Sequence, residues 1–247
     1  MEKAKELLVE WLKNEKILGE EEIEVISSES KISSTEVCPR QEKEVETTNS
    51  KLQITDKRIS SKKERLLEFS KSVIGCKKCR LYEGRKHLVF GEGDPDAKLV
   101  FMGEAPGMQE DLTGHPFVGE AGKLLTKLIG SIGLHREEIY IANILKCRPP
   151  GNRDPKPDEV EQCRPWLLEQ IDIISPKVIC CLGRWATWGL LGSEKVNPQD
   201  AFSKIRGKVY EWEGVKVVPT YHPAALLYHP AWKEVVERDL KLVKELI

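Results

Sequence analysis

Apolar positions along the chain change their spacing twice. In residues 3–18, Ala4, Leu7, Leu8, Trp11, Leu12 and Ile17 fall near helical spacing, which predicts a short amphipathic helix. Between residues 20 and 63 that period is lost. Glu, Lys, Ser and Thr dominate there, and no aromatic residue occurs between Trp11 and Phe69. Such a stretch buries too little apolar area to offset chain entropy, so it reads as a polar disordered tether. The helix before it reads equally well as a docking element, for a protein partner or for the protein's own body, or as a marginal solubilising segment. Ser61-Lys62-Lys63-Glu64 then fits the S-x-x-E capping box. A helix carrying Leu66, Leu67, Phe69, Val73 and Ile74 is expected after it. The chain therefore divides into an N-terminal extension, 1–63, and a folded body, 64–247.

From residue 98 onward, short continuous apolar runs alternate with longer helical periods. Strands are expected at Lys98–Gly103, Ile139–Ala142, Val178–Gly183 and Val215–Val218. Helices are expected from Ala121 to Ile132, from Asp158 to about Ile174, through Trp185 and Trp188, and from Ala231 to Ile247. Near-continuous apolar strands alternating with helices imply a parallel sheet covered on both faces. Ligands of such folds bind beyond the carboxyl ends of the strands. That rule points to Gly103–Gly107, Asn143–Arg153, Gly183–Arg184 and Tyr221–Pro223.

Composition narrows the class without naming a reaction. The 247 residues are 40% hydrophobic and 32% charged, enough apolar material for a sizeable core. No stretch reaches the roughly 18 uncharged apolar residues that a membrane span needs. The first residues carry no apolar signal region, and seven cysteines suit reduced thiols or metal ligands better than a disulfide framework. A soluble, cytoplasmic monomer is the expectation. The net charge is -1, with 39 basic and 40 acidic residues. Residues 1–63 hold 12 and 14 of these, so the body is about neutral and any anion-binding surface must be local.

Cysteine spacing gives the first chemical signal. Cys76-Lys77-Lys78-Cys79 is a C-x-x-C, whose turn brings two thiolates toward one metal centre. Cys147 and Cys163 lie downstream among Lys146, Arg148, Gln162 and Arg164, which are not typical core neighbours. Four thiolates complete either a zinc site or a [4Fe–4S] cluster. Cys180 and Cys181 are adjacent in an apolar strand and point to opposite faces, as packing residues do. Lys77, Lys78, Arg80, Arg85 and Lys86 crowd the first pair, and Lys146, Arg148, Arg153 and Lys156 surround Cys147. One centre gathering both segments would gather their charge into a phosphate-binding patch.

Four further segments sit where a ligand is expected. Gly103-Glu104-Ala105-Pro106-Gly107 is a tight turn after the first strand, able to expose backbone N–H groups. Phe117 lies in a loop before a helix, where base stacking and packing are both open. Asn143 ends a strand, where its amide suits either the edge of a base or a cap. His222-Pro223 ends the last strand, a position where a histidine is commonly a turn residue.

Taken together, the segments resemble the family 4 uracil-DNA glycosylases, the iron–sulfur branch of the uracil-DNA glycosylase superfamily. The resemblance spans about Leu66 to Ile247. It rests on Cys76-x-x-Cys79, GEAPG at 103–107, TGHPFVGEAGKLL at 113–125, NILKCRPPGNR at 143–153, Cys163 and YHPAALL at 221–227. It implies a three-layer α/β/α sandwich with a central four-stranded parallel sheet. It further implies that Cys76, Cys79, Cys147 and Cys163 hold a [4Fe–4S] cluster, and that the partner is uracil-containing DNA, single- or double-stranded.

The same resemblance assigns the pocket. Phe117 would face the uracil ring, and Asn143 would read N3–H and O4. His222 would donate to O2, while Gly103, Glu104 and Ala105 lie beside the sugar and the O2 edge. Glu110 sits where the family closes the space around C5 against thymine's methyl. Some superfamily members carry Asp or Asn in the first motif; this sequence has Glu104 instead, and the expectation that it positions water comes from its own chemistry. Leu226 and Leu227 suit either a wedge into the vacated base stack or ordinary packing. A related branch that traps the abasic product covalently carries a histidine in the loop after the Asn143 strand. Here Cys147–Arg153 contains none. An adaptor working through residues 1–63 and an electron-transfer protein are the remaining alternatives.

Overall fold

The computed structural model describes residues 61–192, 195–196 and 200–247. The helix expected over residues 3–18 and the tether up to residue 60 lie outside the described residues. Lys62–Ile247 forms one compact unit. Its first helix, α1 (Lys62–Val73), starts directly after Ser61, where the capping signature placed it and two residues before the expected start of the body.

The elements that follow are β1 (Glu92–Gly93), β2 (Leu99–Gly103), α2 (Met108–Thr113), α3 (Glu120–Ser131) and β3 (Tyr140–Asn143). Next come α4 (Pro157–Ile174), β4 (Val178–Leu182), α5 (Arg184–Leu191), β5 (Tyr210–Trp212), β6 (Val215–Thr220), α6 (Pro223–Tyr228) and α7 (Lys233–Leu246). The strands form one sheet in the order β1-β3-β2-β4-β6-β5. The four central strands are parallel, as the alternating pattern requires. The two edge strands pair antiparallel and were not expected. With two and three residues, they are too short to show a period of two. Strand β6 also runs further than expected, through Pro219. The proline carbonyl accepts from Gly207 N–H (2.8 Å), and β5 is paired only as far as Val217, so the missing proline N–H breaks no ladder bond on that side.

Alternate residues of each central strand enter opposite cores. Val100, Met102, Ile179, Cys181 and Val217 pack against α1, α4 and α5, through Leu66, Leu167 and Ala186 among others. Leu99, Phe101, Val178, Cys180 and Val218 pack against α3 and α7, through Leu125 and Leu240. The result is a three-layer sandwich, with Cys180 and Cys181 on opposite faces as predicted. No helix among the described residues is long and apolar enough to cross a membrane. All four parallel strands end at one rim, which brings Gly103, Asn143, Leu182 and Thr220 together.

Candidate functional site

At that rim lies a cleft of about 380 Å³ lined by Glu104, Ala105, Glu110, Phe117, Asn143 and His222, with Asn152 and Arg153 at one side. The sheet register sets its floor, because Gly103 of β2 pairs with Asn143 of β3. A Cβ on Gly103 would come within 2.3 Å of Asn143 Oδ1 and 2.5 Å of the Phe117 ring. Glycine is therefore needed for these two side chains to share the floor. Gly103→Ala should keep the fold but displace both, lowering kcat/KM about tenfold or more. Thermal melting and steady-state rates measured together check this.

Asn143 is only 2% exposed. Among the described residues, its Oδ1 is the one buried side-chain oxygen or nitrogen with no hydrogen-bond partner. An orphaned buried acceptor costs about 1–3 kcal/mol, which a ligand's N–H would recover. The capping alternative for this residue therefore falls away.

His222 is the N-cap of α6, and its Nδ1 accepts from Ala224 N–H (3.2 Å). Accepting there fixes the tautomer of the neutral ring and leaves Nε2 as the N–H donor. Burial pushes its pKa down to about 4, with the Glu110 carboxylate pulling weakly the other way. At neutral pH the imidazole is uncharged. Its ring stacks on Phe117, with centroids 5.5 Å apart. Just before it, Thr220 Oγ1 donates to Asp239 (2.6 Å), which also binds Arg206 and so anchors the end of β6.

Phe117 sits at φ +52°, an uncommon backbone conformation for a bulky residue and one that surrounding contacts must enforce. Those contacts are visible. Arg136 donates to the carbonyls of Pro116 and Phe117, the latter at 3.1 Å, and Glu92 of β1 holds the guanidinium at 2.8 Å. The other Glu92 oxygen binds His115 (3.1 Å). Burial alone would raise the Glu92 pKa, but the contacts to His115 and Arg136 hold it below the usual carboxylate value. Gly122 leaves room for the loop, since a Cβ there would meet the Phe117 carbonyl at 1.8 Å. Neither Glu92 nor Arg136 carries a sequence signal, because their work is to hold backbone atoms distant along the chain.

Glu110 lines the cleft, but its carboxylate is already engaged. Oε2 accepts from Gly107 N–H (3.1 Å), and Oε1 from Val118 and Gly119 N–H (2.9 Å each). It clamps the GEAPG turn to the Phe117 loop. Glu104 leaves that turn toward α5, where Trp185 N–H donates to its Oε1 (3.0 Å). Gly183 lets it approach, since a Cβ there would lie 2.3 Å from the same oxygen. Burial raises the Glu104 pKa to about 7, only partly opposed by the Trp185 hydrogen bond.

The four predicted cysteines line a second, smaller cavity, with Lys78, Lys146, Gln162 and Trp166 around them. Sulfur acceptors are well supplied with donors. Cys76 receives Lys78 N–H (3.5 Å) and Trp166 Nε1–H (3.3 Å), Cys147 receives Arg85 (3.3 Å) and Cys163 receives Lys146 N–H (3.3 Å). Burial nevertheless raises the thiols of Cys79 and Cys147, and Cys163 to about 12, with neighbouring sulfurs adding to the rise. Four thiolates here require positive charge between them. Among the described residues, no three His, Cys, Asp or Glu side chains gather tightly enough for a single metal ion.

The basic patch is smaller than the sequence suggested. Lys146 is 1% exposed and so lies in the core, contrary to the expectation that charged neighbours mark Cys147 as non-core. Arg85 is spent on Cys147 and the carbonyls of Cys76 and Ile74. Arg153 and Arg80 both engage the buried Glu159. Lys77, Lys78, Lys86 and Lys156 remain exposed. Near the cleft, Leu226 is packed at 4% exposure, whereas Leu227 is 48% and Tyr228 82% exposed.

The sequence model of the Uracil DNA glycosylase superfamily matches residues 90–241. The chain is 49% identical over 180 residues to the Type-4 uracil-DNA glycosylase of Archaeoglobus fulgidus, covering 71% of this chain and 90% of that protein. It is 50% identical over 178 residues to the Type-4 uracil-DNA glycosylase of Saccharolobus solfataricus, covering 70% and 82%. The Type-4 uracil-DNA glycosylase of Thermotoga maritima is 44% identical over 181 residues, covering 72% and 92%.

Proposed function

The chain belongs to the Uracil DNA glycosylase superfamily, and from that premise we propose that it is a monofunctional glycosylase in base excision repair of deaminated cytosine. The observation that carries the reading is the orphaned, buried Asn143 Oδ1, which shares one cleft with a neutral histidine donor.

A base must leave the stack to reach such a cleft, at a cost of a few kcal/mol. Exposed Lys77, Lys78, Lys86 and Lys156 hold the phosphates, and Leu227 fills the gap left in the stack, with Tyr228 beside it. Phe117 lies against the flipped ring. Asn143 accepts from uracil N3–H and donates to O4. Cytosine shows the inverse pattern there and would leave buried polar groups unpaired. As the C1′–N1 bond breaks, its electron pair passes to uracil, and His222 Nε2–H stabilises the charge at O2. Water held by Glu104 adds to C1′, and its proton passes to the carboxylate and then to solvent. The uracil anion takes up a proton from solvent, and free uracil and an abasic site result. Glu110 excludes thymine by keeping the GEAPG and Phe117 walls clamped around C5.

Cys76, Cys79, Cys147 and Cys163 hold a [4Fe–4S] cluster in this reading. The four sulfurs line one cavity, and four cysteine thiolates are the donor set that such a cluster takes. When bound, the cluster supplies a rigid crosslink between the end of α1, the loop after β3 and α4. The protein acts in the cytoplasm on chromosomal DNA as a monomer.

Water positioning needs the Glu104 carboxylate ionised. Cleavage should therefore rise as pH climbs through about 7 and level off above it, and Glu104→Gln should abolish that step in the profile. Stability runs the opposite way. The folded pKa lies above the ordinary value of 4.5, so the Glu104 contribution is complete below 4.5 and is lost as pH rises through about 7. Single-turnover rates and melting temperatures over the same pH series check both signs.

The function itself is tested with matched oligonucleotides carrying one U, C or T, followed by alkali to cut abasic sites. Cleavage at U alone is expected. No cleavage by brown, cluster-loaded protein would overturn the enzyme reading.

A further inference from the structure

We propose that Lys146 is a positioning residue for uracil recognition, whose buried ammonium fixes the end of β3 so that Asn143 faces the base. The inference rests on the reading of Asn143 as the uracil-reading residue. A lysine is almost never fully buried unless its charge is matched by polar partners, yet Lys146 is 1% exposed. Its Nζ donates to Asn143 O (3.0 Å), Phe90 O (3.0 Å) and Gln170 Oε1. Three donors meet three oxygens, so the ammonium is fully used. The Gln170 amide is itself oriented, because its Nε2 donates to Phe90 O (2.9 Å) and to Tyr140 Oη (3.3 Å).

The need for a cation follows from the sheet. Strand β3 ends at Asn143, and beyond it the chain stays attached to the β2 side through Ile144 N–H to Gly103 O and Leu145 N–H to Glu104 O (3.0 Å each). On the other side, β1 pairs only with Tyr140 and Ile141. The Asn143 carbonyl therefore has no ladder partner there, and it converges with the Phe90 carbonyl and Gln170 Oε1 on one buried point. Three oxygens aimed at one point repel unless a donor with several hydrogens stands between them. Lys146 fills that point, while its own backbone N–H binds Cys163 Sγ (3.3 Å). One residue thus joins the cysteine cavity to the peptide that aims the Asn143 amide. Freed from it, that peptide is held only through Ile144 N–H to Gly103 O and can tilt about that bond. A displacement of about 1 Å at a recognition group can cost 100-fold.

The test uses full-length, cluster-loaded protein with Lys146→Met, Asn143→Ala and the double variant. Lys146→Met is expected to keep its iron and to lower kcat/KM on uracil-DNA by about 30- to 100-fold. In the Asn143→Ala background the same change should cost less than about threefold, because no amide remains to be aimed. Affinity for DNA carrying a non-hydrolysable deoxyuridine analogue should show the same non-additivity without turnover. An equal loss in both backgrounds, or full activity of Lys146→Met, would overturn the positioning role. If Lys146→Met does not fold, Gln170→Met removes one acceptor and leaves the charge. It should show the same background dependence at about tenfold, and an equal loss in both backgrounds would again overturn the role. Full activity of Asn143→Ala alone would instead show that the underlying reading of Asn143 is wrong.

Discussion

A His222→Ala protein that keeps its iron is expected to release uracil with kcat lowered by about 100- to 1000-fold, and with DNA affinity little changed. The donor matters most when negative charge develops on the departing base, and one preorganised donor of this kind is worth about 2.7–4 kcal/mol. Two features preorganise it. The Ala224 N–H held by Nδ1 fixes the ring with Nε2–H directed away from the cap, and burial keeps the ring neutral until pH falls to about 4. The same Nδ1 caps α6, so alanine also removes a cap worth about 1 kcal/mol. His222→Asn separates the two effects, because asparagine caps well but is too short to replace the ring donor. Single-turnover rates of both variants should fall together. A threefold loss or less in either would remove His222 from the chemistry.

Asn143→Asp should reduce kcat/KM for uracil by about 1000-fold. The change turns the amide donor proposed for O4 into a second acceptor, and it places a carboxylate in a site only 2% exposed. A lost buried hydrogen bond together with an unpaired charged group costs roughly 3–5 kcal/mol, at 1.36 kcal/mol per tenfold. Cytosine presents a donor at N4 where uracil presents O4, so the ratio of uracil to cytosine cleavage should narrow as uracil activity collapses. Matched U and C oligonucleotides measure both numbers at once. Uracil cleavage within threefold of the parent would end the base-reading role.

The order and type of the central elements were legible because each is long enough to display its period. Val178–Leu182 and Leu99–Gly103 are uninterrupted apolar runs, as strands buried on both faces must be. The helices of 12 to 18 residues were also found, each within two residues at both ends. Helices α2 and α6, six residues each, were not, although Pro223 at the first position of α6 was a usable signal. The grouping of Cys76, Cys79, Cys147 and Cys163 was also legible from spacing, and that of Glu104, Phe117, Asn143 and His222 from the family resemblance of the motifs that carry them.

What only the tertiary structure decided is which atoms remain free to act. Sequence counted Lys146 and Arg85 toward a surface patch, yet both are consumed inside. It offered Glu110 as a wall against thymine, yet both carboxylate oxygens hold backbone N–H groups. It had no means of finding Glu92 and Arg136, which hold the Phe117 loop by its carbonyls. The sequence alone determined the fold class, the cysteine set and, through the family resemblance of its motifs, the members of the cleft, because periodicity, spacing and motifs are properties of the chain as written. Hydrogen-bond saturation, burial and charge pairing are relations between distant segments, and they exist only once the chain has folded.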